Sequence, residues 1–178
     1  MAKTKFSLKV KSKIDMKSMI DKLKPFKMKY GFLDGKSGRY PDGESVALVA
    51  MQNNYGAVVT TENWQAKADL RGKNVKVPPV WNIPSRPFFT NAWAKNNKRY
   101  QKYIVNYMNA IVGGKVKVSR ETFFKRLGRV ATDDVKKSID VTNTPANHPL
   151  TIYIKDSEKP LVDTGHMKES VVWDVEDA

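Results

Sequence analysis

The sequence predicts an α+β fold, a small and mainly antiparallel sheet packed by two long helices. Three observations predict it. Lys3 to Ile14 and Phe26 to Leu33 alternate apolar with cationic or small residues, the period of a half-buried strand. Ser85 to Gly113 and Ser119 to Ile139 repeat apolar residues at helical spacing, and each opens on serine, a favoured N-cap. Turn-forming Gly, Pro, Asp and Ser cluster between these segments.

In the first strand Lys3, Lys5, Lys9, Lys11 and Lys13 share one parity, and Phe6, Leu8, Val10 and Ile14 share the other. Asp15 then caps a helix carrying Met16, Met19, Ile20 and Leu23, which Pro25 stops. Residues 1–25 therefore read as a basic N-terminal strand and helix, and residues 26–178 as a single α+β domain. That domain opens on a strand in which Phe26, Met28, Tyr30 and Phe32 alternate with Lys27, Lys29 and Gly31, and continues through the turns DGKSG and YPDG. Residues 44–54 read as a short helix capped by Asp42 or Ser45, with Gly56 as a left-handed C-terminal cap. Residues 57–84 read as an irregular extended excursion holding a small hairpin, Val58–Thr61 against Val75–Val77.

The longest helix is expected to begin at Ser85-Arg86-Pro87, with proline in its first turn. Phe89, Trp93, Tyr100, Ile104, Tyr107, Met108 and Ile111 run down one side of it. The next helix carries Phe123, Phe124, Leu127, Ala131, Val135 and Ile139 inward. Residues 143–149 read as loop, and Val171 to Val175 as a closing strand.

A chain of 178 residues suits one domain with at most an appendage. It has no cysteine, which excludes a disulfide-stapled scaffold, a thiolate metal site and a cysteine nucleophile. The longest apolar run, Val46 to Met51, falls far short of the ~20 residues that span a bilayer, and no signal-peptide segment follows the Lys-rich start, so a soluble protein made in a cytoplasm is expected. The net charge of +14 favours polyanions or acidic protein surfaces as partners. Residues 1–30 hold ten Lys against Asp15 and Asp21, or +8, leaving +6 for the other 148 residues.

Several phrases come close to known chemistry. Gly31 to Ser37 (GFLDGKS) is one residue short of a phosphate loop between its glycines, and turns rather than a helix follow it. Leu161-Val162-Asp163-Thr164-Gly165 matches the core of the aspartic protease signature, but His166 follows where that family carries Ala or Ser, and no second motif follows. The preferred reading has Asp163 or Thr164 capping a short helical turn that leads into Val171. His148 and His166 are the only histidines, too few for a structural zinc site, and no nucleophile elbow occurs. Trp93, Tyr100, Tyr103 and Tyr107, interleaved with Lys95, Lys98, Arg99 and Lys102, could stack on bases, although their spacing favours core or subunit packing. No catalytic, cofactor-binding or metal-ligating residue is assigned.

Four segments in order carry a resemblance: YPDGESVALVAMQNNYG (40–56), IPSRPFFTNAW (83–93), LGRVATDDVKKSI (127–139) and PLVDTGHMKESVVW (160–173). Together they resemble the neck or tail-completion proteins of tailed bacteriophages, which join head to tail. The family usually joins its first helix to the Arg-Pro-Phe phrase by a short link, whereas here residues 57–82 intervene. The Lys-rich N-terminus also lies outside the resemblance. The resemblance implies a structural virion protein, assembled in the host cytoplasm. It would form a homo-oligomeric ring around the DNA channel at the neck or the head-proximal end of the tail, and contact other neck, connector or tail proteins. Arg86, Pro87, Phe88, Asp163, Thr164 and Gly165 are then family-motif positions that hold elements in place. Lys3, Lys5, Lys9, Lys11 and Lys13 are candidate contacts to channel DNA or an acidic partner; Lys on an exposed strand face also guards against edge-to-edge pairing. No enzymatic activity, cofactor or membrane is expected. The alternative is a basic nucleic-acid-binding protein acting outside the particle, with a phage-encoded aspartic protease a distant third.

Overall fold

The computed structural model describes residues 26–177 together with Lys17 and Ile20, both of which are helical. The expected strand bearing Lys3, Lys5, Lys9, Lys11 and Lys13 lies outside the described residues, as does most of the helix after Asp15.

Between Phe26 and Asp177 the domain is α+β, with two small antiparallel sheets and six helices. Strand β1 (Phe26–Gly31) pairs with β4 (Val172–Asp177), placing Tyr30 opposite Trp173. Its even positions, Met28 and Tyr30, face the helices, while Lys29 forms an ion pair with Glu176 at 2.9 Å. Helix α1 (Val46–Tyr55) begins at Ser45, whose Oγ accepts the Leu48 N–H. Helix α3 (Phe88–Val112) and helix α4 (Arg120–Val141) form the long pair. Ser119 caps α4 by accepting from the Thr122 N–H at 3.1 Å. Tyr107 of α3 and Phe123 of α4 stack with ring centroids 4.1 Å apart, and α4 packs across both strands of the β1–β4 sheet.

Residues 57–84 correct the irregular excursion expected from the sequence. They form strand β2 (Ala57–Thr60), helix α2 (Glu62–Leu70) and strand β3 (Val80–Ile83), with β2 and β3 paired antiparallel as a second sheet. Val75–Val77 is not the partner of the first strand. The Gln65 side chain takes its backbone instead: Oε1 accepts the Val77 N–H at 2.8 Å, and Nε2 donates to the Val75 carbonyl at 3.1 Å. Helix α5 (Pro149–Lys155) was not anticipated; it starts on His148, whose ring nitrogen accepts the Leu150 N–H. Helix α6 (His166–Glu169) supplies the short turn before β4.

The start of α3 differs from expectation for a clear reason. Ser85 does not cap it, because its hydroxyl donates to the Asn54 carbonyl at 2.8 Å. The capping acceptor comes from α1: Asn54 Oδ1 takes the Phe89 N–H at 2.9 Å, and its Nδ2 donates to Thr90 at 3.2 Å. Gly56 has a positive φ of 82° but an extended ψ of 155°, so it is not a left-handed cap. A Cβ there would stand 3.0 Å from the Ser85 nitrogen and 3.1 Å from the Ile83 carbonyl oxygen, so glycine lets β2 leave α1 alongside β3.

The inward face of α3 is also rotated from the expected stripe. Phe88, Ala92, Tyr100, Tyr107 and Ile111 are buried, whereas Trp93 is 49% exposed and Met108 is exposed too. The small Ala92 takes the inward position in the core shared with Val46 and Ala50, where the larger indole would not fit.

Candidate functional site

The principal core contains Val46, Ala50, Phe88, Ala92, Val135, Ile139, Leu161, Met167 and Val171. Each of the four phrases quoted above supplies at least two of these residues, and nothing else contributes to them. Phe88, fully buried, is at the centre, and Ser138 Oγ donates to its carbonyl at 2.7 Å.

Arg86 is 4% exposed and, among the described residues, meets no carboxylate. Its Nε donates to the Pro145 carbonyl at 2.7 Å, and one terminal nitrogen reaches the Ala146 carbonyl at 3.1 Å and Asn147 Oδ1 at 3.3 Å. The guanidinium therefore fastens the loop between α4 and α5 to the start of α3, and burial lowers its pKa. Pro87 stands at the N-cap position of α3.

Asp163 does not cap the turn before β4. It accepts from Lys67 at 2.8 Å and from one Arg71 nitrogen at 3.1 and 3.2 Å, joining the last loop to α2. Burial alone would raise its pKa, but Lys67 and Arg71 hold it below the usual carboxylate value. A carboxylate flanked by two cations is kept ionised, the opposite of a pair of carboxyls sharing one proton. Thr164 does help the turn, its Oγ1 accepting the His166 N–H at 3.4 Å, and Gly165 occupies the N-cap position with φ 84°.

Arg86 and Asp163 line one cleft of about 700 Å³, bounded by α1, the β2–β3 sheet, α2, α5 and the loop before α6. Trp64, Trp81 and Val59 give it apolar wall, and Lys67 and Lys155 are cationic lining. Lys155 Nζ donates to the Lys159 and Pro160 carbonyls at 3.2 and 3.3 Å. Burial first, with Lys67, Arg86 and Arg71 adding to it and Asp163 opposing, lowers its pKa to about 8. Tyr40, also on the lining, is pushed up to about 12 by burial and by the charges of Asp163, Glu44 and Asp42.

The remaining candidates are dispersed. His148 meets the edge of Trp81 with ring centroids 4.9 Å apart; His166 Nε2 lies 3.1 Å from the Arg39 carbonyl oxygen. Among the described residues no group of His, Asp and Glu is arranged to hold a metal ion. Ser37, in the phrase resembling a phosphate loop, is buried: it accepts the Leu33 N–H at 2.9 Å and donates to the Ser170 carbonyl at 2.8 Å. The aromatic series on α3 divides, with Tyr100 and Tyr107 inside and Trp93 and Tyr103 outside. Tyr100 donates to Asp134 at 2.6 Å, and Arg99 also pairs with that carboxylate. Among the described residues no helix is long and apolar enough to cross a membrane.

Sequence reasoning missed Asn54, Lys67, Arg71 and Lys155. Lys67 and Arg71 are four residues apart, which places them on one helix face, but that signal is readable only once residues 62–70 are recognised as helix. Comparison with protein-family models, with curated proteins and with solved structures finds no match to this chain.

Proposed function

We propose that this protein is a structural subunit of a tailed-bacteriophage virion, forming a ring in the neck or at the head-proximal end of the tail around the DNA channel. One observation carries the assembly part of this reading. Two helices each present apolar residues outward at the i, i+3, i+7 spacing of a single helical face: Leu48, Met51 and Tyr55 on α1, and Val105, Met108 and Val112 on α3. All six are exposed in the isolated subunit. A ring built head to tail needs two different patches on each subunit, one fitting the other on the next copy, and a closed series of such contacts covers both. The resemblance supplies the virion setting, and the four phrases that carry it supply every buried residue of the principal core.

Native mass spectrometry and negative-stain electron microscopy of the full chain test the proposal. A closed ring is expected. Met51→Glu and Val105→Glu should each yield a folded subunit that no longer closes it. A wild-type monomer that binds duplex DNA tightly at physiological salt, with affinity falling by orders of magnitude as salt rises, would instead favour the basic nucleic-acid-binding reading. Changing Lys3, Lys5, Lys9, Lys11 and Lys13 to Gln should leave the domain folded and impair joining or genome retention in particles.

A further inference from the structure

We propose that the solvent face of α3 marked by Lys95, Lys98 and Lys102 contacts the phosphate backbone of duplex DNA without reading its sequence. The argument starts from where the charge is. Residues 95–129 hold ten Lys and Arg against Glu121, or +9, whereas residues 130–178 hold five Lys against ten acids, or −5. Helix α3 itself has no acidic residue in 25 positions. Lys95, Lys98 and Lys102 recur at i, i+3 and i+7, so they share one face, and that face continues through Asn106 and Asn109. All five are exposed. Among the described residues none of their side chains has an ion-pair or hydrogen-bond partner, whereas Arg99 beside them is held by Asp134.

Length and chemistry select the partner. From residue 95 to residue 109 the stripe runs about 21 Å along the helix, and duplex DNA sets out on the order of a dozen phosphate charges over that distance. Phosphate oxygens accept from lysine and from asparagine amides alike, so the whole stripe is used. An acidic protein surface fits less well, because protein partners fix their register through charges of both signs and this stripe has one sign only. A second copy of the chain has few carboxylates to offer: Asp140, Asp156, Asp163, Asp174 and Glu176 are each paired to a lysine of their own subunit. Trp93 and Tyr103 are exposed but stand off this face, so stacking on bases is not part of the contact. The stripe shares no residue with the apolar one formed by Val105, Met108 and Val112. Its setting, the channel of a ring, rests on the reading above; the contact itself is tested on the free subunit.

The test uses the full chain with Lys3, Lys5, Lys9, Lys11 and Lys13 changed to Gln, so that the N-terminal cations do not mask the site. A short duplex of random sequence is titrated by fluorescence anisotropy from about 50 to about 200 mM salt. Changing Lys95, Lys98 and Lys102 to Gln in that background should weaken binding at least roughly tenfold at the low end, and flatten the slope of log affinity against log salt by about 2–3, each lost phosphate contact accounting for about 0.9. Lys76, Lys137 and Lys159 are exposed lysines elsewhere, and changing them to Gln removes the same net charge with little change of slope. Equal effects of the two triple variants, no effect of the first, or polyglutamate competing as well as duplex at equal charge would each overturn the proposal. Binding that persists at physiological salt and is lost with the stripe would support the contact and count against the ring; a closed ring whose DNA affinity ignores the stripe would do the reverse. A second measurement leaves the stripe intact: acetylation of Lys95, Lys98 and Lys102 by an N-hydroxysuccinimide ester, followed by mass spectrometry, should slow several-fold under saturating duplex while Lys76, Lys137 and Lys159 react as before. An unchanged rate at the stripe would count against the site.

Discussion

Replacing Gly128 with alanine should destabilise this protein, the reverse of the usual effect inside a helix. Alanine is ordinarily favoured there by about 0.5–1 kcal/mol. In α4, however, a Cβ at residue 128 would stand 2.9 Å from Cγ and Cδ2 of Trp173 and 3.0 Å from its Cβ. Carbon atoms are comfortable at about 3.5 Å or more, so the overlap is roughly half an ångström. The crowded atoms are at the root of the indole, on a strand residue paired with Tyr30, so the ring cannot swing away without disturbing β1–β4. Overpacking of this kind costs about 1–3 kcal/mol, and subtracting the helix-propensity gain leaves a net loss of roughly 0.5–2 kcal/mol. Urea unfolding of the two proteins measures the difference directly, and thermal unfolding should shift by about 2–4 °C per kcal/mol. Trp173→Leu provides the control: in that background Gly128→Ala should become neutral or stabilising, a coupling between touching residues that a double-mutant cycle resolves. If Gly128→Ala raises the urea midpoint with Trp173 in place, the packing argument fails.

Other consequences follow from the same contacts. Asp163→Asn keeps one hydrogen-bonding oxygen but loses its charge, so about 1 kcal/mol should disappear near neutral pH, the pairs being partly exposed and screened. Because the folded Asp163 pKa is below 3.8, that contribution is present above 3.8 and is lost as pH falls through the folded value, so acid urea titrations of the two proteins should converge. Lys155 has the opposite sense: its pKa falls from 10.5 to about 8 on folding, so between those values the unfolded chain holds more protons and stability rises with pH. Stability against pH should therefore climb more steeply across that window in the wild type than in Lys155→Met. Phe88→Ala should cost about 3–5 kcal/mol and leave little folded protein, whereas Trp93→Ala should leave the subunit folded with a nearly unchanged melting temperature.

The legible parts of the fold were those set by local pattern. The alternation of Met28 and Tyr30, the Ser119 cap and the inward series Leu127, Ala131, Val135 and Ile139 each follow from a few consecutive residues, and the structure agrees. What escaped was fixed by distant partners. Val75–Val77 has the composition of a strand, yet a glutamine ten or more residues earlier takes its backbone groups. Ser85 looks like a cap and is not one, because Asn54 arrives from another helix with the better-placed oxygen. The face of α3 could not be chosen between Ala92 and Trp93 from hydrophobicity alone; the fit of the core around Ala92 decides it. The cleft was invisible for the same reason, since its cations come from α2, the loop before α3, and α5.

This division also says what a resemblance built on those four phrases can carry. Their distinctive residues are mostly those with specific internal partners: Asn54 holding Phe89, Arg86 holding Pro145 and Ala146, Gly128 admitting Trp173, and Asp163 holding Lys67 and Arg71. Such residues resist replacement because a substitution leaves a buried group unpaired or overfilled. They specify how the chain packs and are silent on what it touches. Lys67, Lys155, Trp64, Trp81, Val105, Met108 and Val112 all lie outside the phrases, on the cleft or on the exposed face of α3. Substituting at those positions should change partners while leaving the fold intact, as at the exposed Met51 within the first phrase, whereas substituting at the internally partnered Asn54, Arg86, Gly128 or Asp163 should change the fold first and partners only as a consequence.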